Sequence, residues 1–172
     1  EHTFNTGRLL QKGNRNTLRI FTENGTELVV KQFGRPNILN RIVYSFIRKP
    51  KGLRAYEYAF RVNRAGFETP AAVAYVERRR FGIIGTSYFI SLHYGRRFYE
   101  FGDADPDSCR DIVQAFARYA AALHEAGILH RDFSPGNILF DNIEGQYRFS
   151  IVDINRMRFG KVSVKKGCRN FA

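Results

Sequence analysis

One stretch constrains this chain more than any other. It is His130-Arg131-Asp132-Phe133-Ser134-Pro135-Gly136-Asn137, entered from Ile128-Leu129 and left through Ile138-Leu139-Phe140. Apolar, β-type residues on either side of a polar loop holding Pro and Gly predict strand, loop and strand in succession. A further β-type run, Ser150-Ile151-Val152, ends on Asp153. An Asp able to orient a hydroxyl, with Asn and Asp oxygens able to hold Mg²⁺, is the equipment of phosphoryl transfer.

The flanking sequence is that of a folded protein. At 172 residues the chain suffices for one medium domain or for two lobes sharing a cleft. Hydrophobic residues at 44% and charged residues at 26% exclude a disordered chain. Cys109 and Cys168 stand far apart and outside any C-x-x-C pattern, which argues against a zinc site or disulfide scaffold and suits a reducing cytosol. No apolar run is long enough to span a membrane, and Glu1 to Leu10 lacks a signal-peptide core. The net charge of +12 calls for an anionic partner: nucleic acid, a membrane surface or a phosphate-rich substrate.

Residues 1–34 read as strands. Thr17 to Phe21 alternates, Glu23-Asn24-Gly25-Thr26 is a turn and Glu27 to Phe33 returns, with an earlier turn at Gly13-Asn14-Arg15-Asn16. Lys31 closes Val29-Val30-Lys31; such a lysine is usually just solvent-facing and gains meaning only from its company. Gly52 to Arg64 is a helix stopped by Gly66, with Glu57 in its middle. Ala72 to Arg78 and Thr86 to Leu92 are strands around a hairpin at Gly82 to Gly85. A polar connection with Asp103, Asp105 and Pro106 leads to a long helix, opened by a Ser108/Asp111 capping box and ended by Gly127. Asn142 to Gly145 turns the chain into the strand that ends at Asp153.

Between Lys31 and Arg54 there is no acidic residue, whereas Arg35, Arg41, Arg48, Lys49 and Lys51 are basic. Within it Ile38, Leu39, Ile42, Val43, Phe46 and Ile47 recur at helical spacing. The plainer reading packs this stripe against the chain's own domain. The alternative lays a basic amphipathic helix on an anionic membrane.

The H-R-D-x-x-x-x-N pattern matches the catalytic loop of protein-kinase-like enzymes. Lys31, Glu57, Asp132, Asn137 and Asp153 follow in the order that superfamily uses, on the expected elements. The chain therefore resembles an α+β, bilobal, protein-kinase-like fold. Residues 1–94 would form an N-lobe with a five-stranded antiparallel sheet and helix C, and residues 95–172 a hinge and an incomplete helical C-lobe. Phe67-Glu68-Thr69-Pro70 paired with Val152-Asp153-Ile154-Asn155-Arg156 narrows this, being similar to the bacterial lipopolysaccharide kinases (Kdo/WaaP-type) from about Thr17 to Phe171. Those enzymes use ATP to phosphorylate sugars of the lipopolysaccharide inner core. Their pattern is close to D-x-D-R; here Asn155 replaces the second Asp and Arg156 is kept.

The resemblance implies that Asp132 orients the sugar hydroxyl, that Asn137 and Asp153 hold Mg²⁺, and that Lys31, fixed by Glu57, contacts the ATP phosphates. Val29 and Leu139 would sandwich the adenine, His93-Tyr94-Gly95 would be the hinge, and Gly13 and Asn14 would cover the phosphates. The sequence departs from the protein-kinase pattern in lacking G-x-G-x-x-G, the glycine of D-F-G and an A-P-E. Lys165 to Ala172 reads as the start of a further helix, so the chain is expected to belong to a longer protein. The expected activity is an ATP- and Mg²⁺-dependent kinase of a lipopolysaccharide core sugar, cytoplasmic and peripheral to the inner membrane, without nucleic acid. The alternatives are a kinase of a protein or small soluble molecule with a RIO/aminoglycoside-phosphotransferase-like site, or a non-catalytic binding protein of kinase fold.

Overall fold

In the computed structural model, residues 2–14, 16–94, 96–97 and 109–170 are described; Gly95, Asp103, Asp105, Pro106 and Ser108 lie outside them. The chain divides into two compact units, residues 1–60 with 71–93, and residues 61–70 with 94–172.

The first unit is built on alternation. Strands β2 (Asn16–Glu23) and β3 (Thr26–Phe33) pair from Asn16 opposite Phe33 to Glu23 opposite Thr26. Asn24 and Gly25, at φ 49 and 77, make the two-residue turn that matches the twist of the flanking strands. With β1 (Arg8–Lys12), β4 (Ala72–Arg80) and β5 (Ile83–Leu92) they form a five-stranded sheet of order β1-β2-β3-β5-β4, antiparallel throughout. Gly13 N–H donates to Asn16 O at 2.9 Å and closes the turn between β1 and β2.

Several details differ from the sequence reading. His2–Thr6 is a short helix, α1, not a strand; buried Phe4 packs 5.5 Å from the ring of Tyr88, and Thr6 Oγ1 donates back to Thr3 O. The β4–β5 turn falls at Phe81-Gly82, so Gly85 sits inside β5. Helix α2 (Ile38–Ile42) runs into a π-helical turn (Val43–Ile47), and the apolar stripe they carry faces solvent, not the sheet. Helix α3 follows over Lys51–Arg64, with Ala55 and Ala59 buried.

The second unit takes residues 61–70 because they bond to its strands. Ile151 N–H donates to Glu68 O, and Thr69 Oγ1 donates to Ile151 O at 2.7 Å. Its sheet joins β6 (Arg96–Arg97), β8 (Ile138–Ile143) and β9 (Gln146–Ile151); β7 (Ile128–Leu129) pairs with β10 (Arg158–Phe159). Helix α4 (Arg110–Glu125) buries Ile112, Ala120 and Leu123. Its N-cap is Cys109, which makes no side-chain capping bond. Ile112, Ile138, Phe140 and Phe149 form a core with Phe116, Tyr119 and Phe133 packed against it. Each such side chain contributes on the order of 2 kcal/mol by leaving water. A short helix, α5 (Val164–Cys168), closes the described chain. Among the described residues no helix is long and apolar enough to cross a membrane.

Candidate active site

The loop after β7 is held by a buried imidazole. His130 is 1% exposed. Its Nε2–H donates to Val152 O at 2.8 Å, and its Nδ1 accepts the backbone N–H of Asp132 at 3.2 Å. That pairing requires the neutral ring, and burial accordingly holds the His130 pKa below the ordinary value of 6.5. One side chain thus fixes the loop at Asp132 and the strand exit just before Asp153.

Further bonds close the loop. Asn137 Nδ2 donates to Asp132 O at 2.8 Å, and Val152 N–H donates to Asn137 O at 2.9 Å. Asn170 Nδ2 donates to His130 O at 2.6 Å while Asn170 Oδ1 pairs with His124 Nε2 at 3.1 Å. Phe133 anchors the loop's middle, 5.4 Å from the ring of Phe116 and 5.7 Å from that of His130. Pro135–Asn137 is a 3₁₀ turn, as a Pro-Gly pair favours.

Asp153 sits at φ 57 and ψ 37, a left-handed conformation that costs a non-glycine residue on the order of 1 kcal/mol or more. Its Oδ1 accepts a short hydrogen bond from Asn155 Nδ2, and Asn155 is itself buried. Arg156 NH1 stands 3.8 Å from Asp132 Oδ2, both side chains about half exposed. Such an exposed pair adds under about 1 kcal/mol to stability, so its weight falls on where the carboxylate points. Asp132, Asn137 and Asp153 are therefore brought onto one hydrogen-bonded framework within the second unit.

The remaining expected site residues divide between the units. In the first, Lys31 lies on β3 opposite Leu18 and Phe89, its Nζ 5.4 Å from the Phe33 ring. Glu57 accepts from Lys49 Nζ with both carboxylate oxygens, at 2.6 and 2.8 Å; the partner the structure gives it is Lys49, where the sequence reading gave Lys31. The basic segment reaches α3 only two residues after Lys49, which brings that ammonium to the helix's first turns. Val29 is half-buried between Ile20 and Ser91, and Asn14 is exposed in the β1–β2 turn. His93 Nδ1 is 3.1 Å from Glu27 Oε2. In the second unit Leu139 is buried, and Tyr94 OH donates to Glu68 Oε2 at 2.9 Å. Burial, then the Glu68 hydrogen bond, pushes the Tyr94 phenol up to about 12.

His130, Asn155 and Asn170 were not among the expected site residues. The H-R-D motif itself marks the first. For Asn155 the signal was its departure from D-x-D-R. Asn170 carries no local signal, because its partner is 40 residues away.

This architecture is a protein-kinase-like fold. It matches, over 95% of the chain, the structure titled WaaP in complex with acyl carrier protein (TM-score 0.61, 20% identity, 67% of that chain covered). It also matches, over 95%, the Rio2 kinase–ADP/Mg²⁺–phosphoaspartate complex from Chaetomium thermophilum (TM-score 0.61, 17% identity, 51% of that chain covered). The chain belongs to the lipopolysaccharide kinase (Kdo/WaaP) family, whose family model matches residues 6–171. No curated protein matches it in sequence.

Proposed function

We propose that this chain transfers the γ-phosphoryl group of ATP to a hydroxyl of a lipopolysaccharide core sugar. The observation that carries the reading is the framework joining Asp132, Asn137 and Asp153 through His130, within a family of lipopolysaccharide kinases. Asp132 accepts the hydroxyl proton as the acceptor oxygen attacks phosphorus, and Arg156 keeps its carboxylate oriented. Asn137 uses its amide nitrogen on Asp132 O, so Oδ1 is the atom left for a cation; Asp153 offers a carboxylate steadied by Asn155.

These residues fit Mg²⁺, which takes few protein oxygens and fills its octahedron with phosphate and water. Bound there, Mg²⁺ supplies charge neutralisation at the phosphates. An ATP-dependent reaction of this kind belongs on the cytoplasmic face of the inner membrane, and the charge of +12 suits an anionic acceptor.

The test is transfer of labelled phosphate from Mg²⁺-ATP to purified lipopolysaccharide carrying its core. Asp132→Asn is expected to lower the rate about 10²–10⁴-fold with little change in nucleotide binding. Transfer to soluble protein or small alcohols but not to core sugar would overturn the acceptor. Nucleotide binding without any transfer would point to a binding protein of kinase fold.

A further inference from the structure

The segment between β3 and α3 is docked with its polar side inward. Arg41 Nε donates to Ile84 O at 2.8 Å, and Ser45 Oγ accepts the Ile84 N–H at 2.9 Å, so the helix meets β5 through a guanidinium and a hydroxyl. The apolar side looks out: Ile38, Leu39, Ile42, Phe46 and Ile47 are 45–79% exposed. The π-helical turn, closed by Arg48 N–H to Val43 O at 2.7 Å, keeps Phe46 and Ile47 on that side. An amphipathic helix gains most by burying its apolar stripe, and among the described residues this stripe stays largely exposed.

A second element joins the same surface. Arg79 NH1 donates to Gly82 O at 3.0 Å and reaches Ser45 O at 3.5 Å, which ties the β4–β5 turn to the π-helical turn. At the tip of that turn Phe81 is 88% exposed at φ 52. Asn or Gly is the usual choice there; a phenylalanine at positive φ is both strained and wasted on solvent. Arg78, Arg79 and Arg80 precede it, and residues 32–53 contain no acidic side chain.

We propose that this face docks onto an anionic phospholipid bilayer, with Leu39, Phe46, Ile47 and Phe81 entering the headgroup–acyl boundary. The surrounding arginines and lysines meet the lipid phosphates. A cavity of about 350 Å³ beside the segment is lined by Arg35, Lys51, Asn16 and Asn40 among others, a donor-rich setting for one headgroup. A second copy of the chain is a poor occupant, since two such faces carry the same charge.

Vesicle flotation of the full chain tests this. Binding to phosphatidylglycerol vesicles is expected to exceed binding to phosphatidylcholine vesicles at least tenfold at low salt and to fall as salt screens the charges. Arg35→Ala and Arg48→Ala are each expected to weaken it about fivefold. Leu39→Asp with Ile47→Asp is expected to weaken it tenfold or more with unchanged circular dichroism, because both side chains are exposed. The chain has no tryptophan, so Phe46→Trp supplies a single reporter whose emission shifts to the blue on vesicle binding. Equal binding to both vesicle types, or no blue shift, overturns the proposal. So does a double variant that floats like the parent but loses affinity for an acidic carrier protein, or that splits a dimer. Vesicle binding needs no phosphoryl transfer, so either reading can fail without the other.

Discussion

Asn155→Asp turns an amide into a carboxylate at almost constant volume, beside a carboxylate it now serves. Asn155 is 4% exposed and donates to Asp153 Oδ1. The substitution removes a hydrogen bond to a charged acceptor, worth about 1.5–3 kcal/mol. It also sets two carboxylates in contact; like charges about 4 Å apart repel by on the order of 4 kcal/mol at an effective dielectric of 20. Proton uptake relieves part of this, which leaves a net loss of roughly 2–4 kcal/mol. For a chain of this length that lowers Tm by roughly 4–16 °C.

The pH dependence has a definite sign. Repulsion raises the folded-state pKa of the pair above its unfolded value, so the penalty is full at high pH and disappears as acid protonates one member. Thermal denaturation by circular dichroism in EDTA should therefore show a wide gap between variant and parent near pH 8 and a narrow one near pH 5. Mg²⁺ with nucleotide should close part of the gap at high pH, because a cation relieves the repulsion. A variant as stable as the parent in EDTA at high pH would refute the reasoning, as would a gap indifferent to pH.

His130, buried neutral, gives a second pH effect: its pKa is lowered, so the unfolded chain takes up a proton first. Stability should hold above about pH 6.5 and fall below it by up to about 1.4 kcal/mol per pH unit, readable from urea midpoints and reduced in His130→Gln. Gly127→Ala should cost about 2 kcal/mol or more by the same assay, because a Cβ there meets Gly160 O at 2.8 Å at φ 74. Arg156→Ala should lower Tm by no more than about 4 °C, since the pair is exposed, yet slow phosphoryl transfer at least tenfold; equal activity would remove Arg156 from the site.

What the sequence made legible was local or periodic. The β2–β3 register followed from alternation and the Asn24-Gly25 turn, and the end of α3 from the stop at Gly66. The strand–loop–strand around Asp132 and Asn137 was marked by its own residues. The misreadings came where a partner elsewhere decides. Glu57 has Lys49 as its partner in space, and no pattern in α3 announces it. The stripe from Ile38 to Ile47 has a helix's period, but periodicity does not say which side meets the sheet; Arg41 and Ser45 finding the Ile84 backbone settles that. His2–Thr6 is too short for propensity to specify, and Phe4, set against Phe21, Tyr88 and Arg19, ties it to the sheet.

The bond from Asn170 to His130 O has a consequence in time. A ribosome adding about 5–20 residues per second needs roughly 2–8 s to travel the 40 residues between them. Through that interval β8, β9 and β10 are added after α4, and the loop at His130 still lacks its bond from Asn170. On the function proposed above, a chain ending before Asn170 should keep the sheet of the second unit while loosening the loop that carries Asp132.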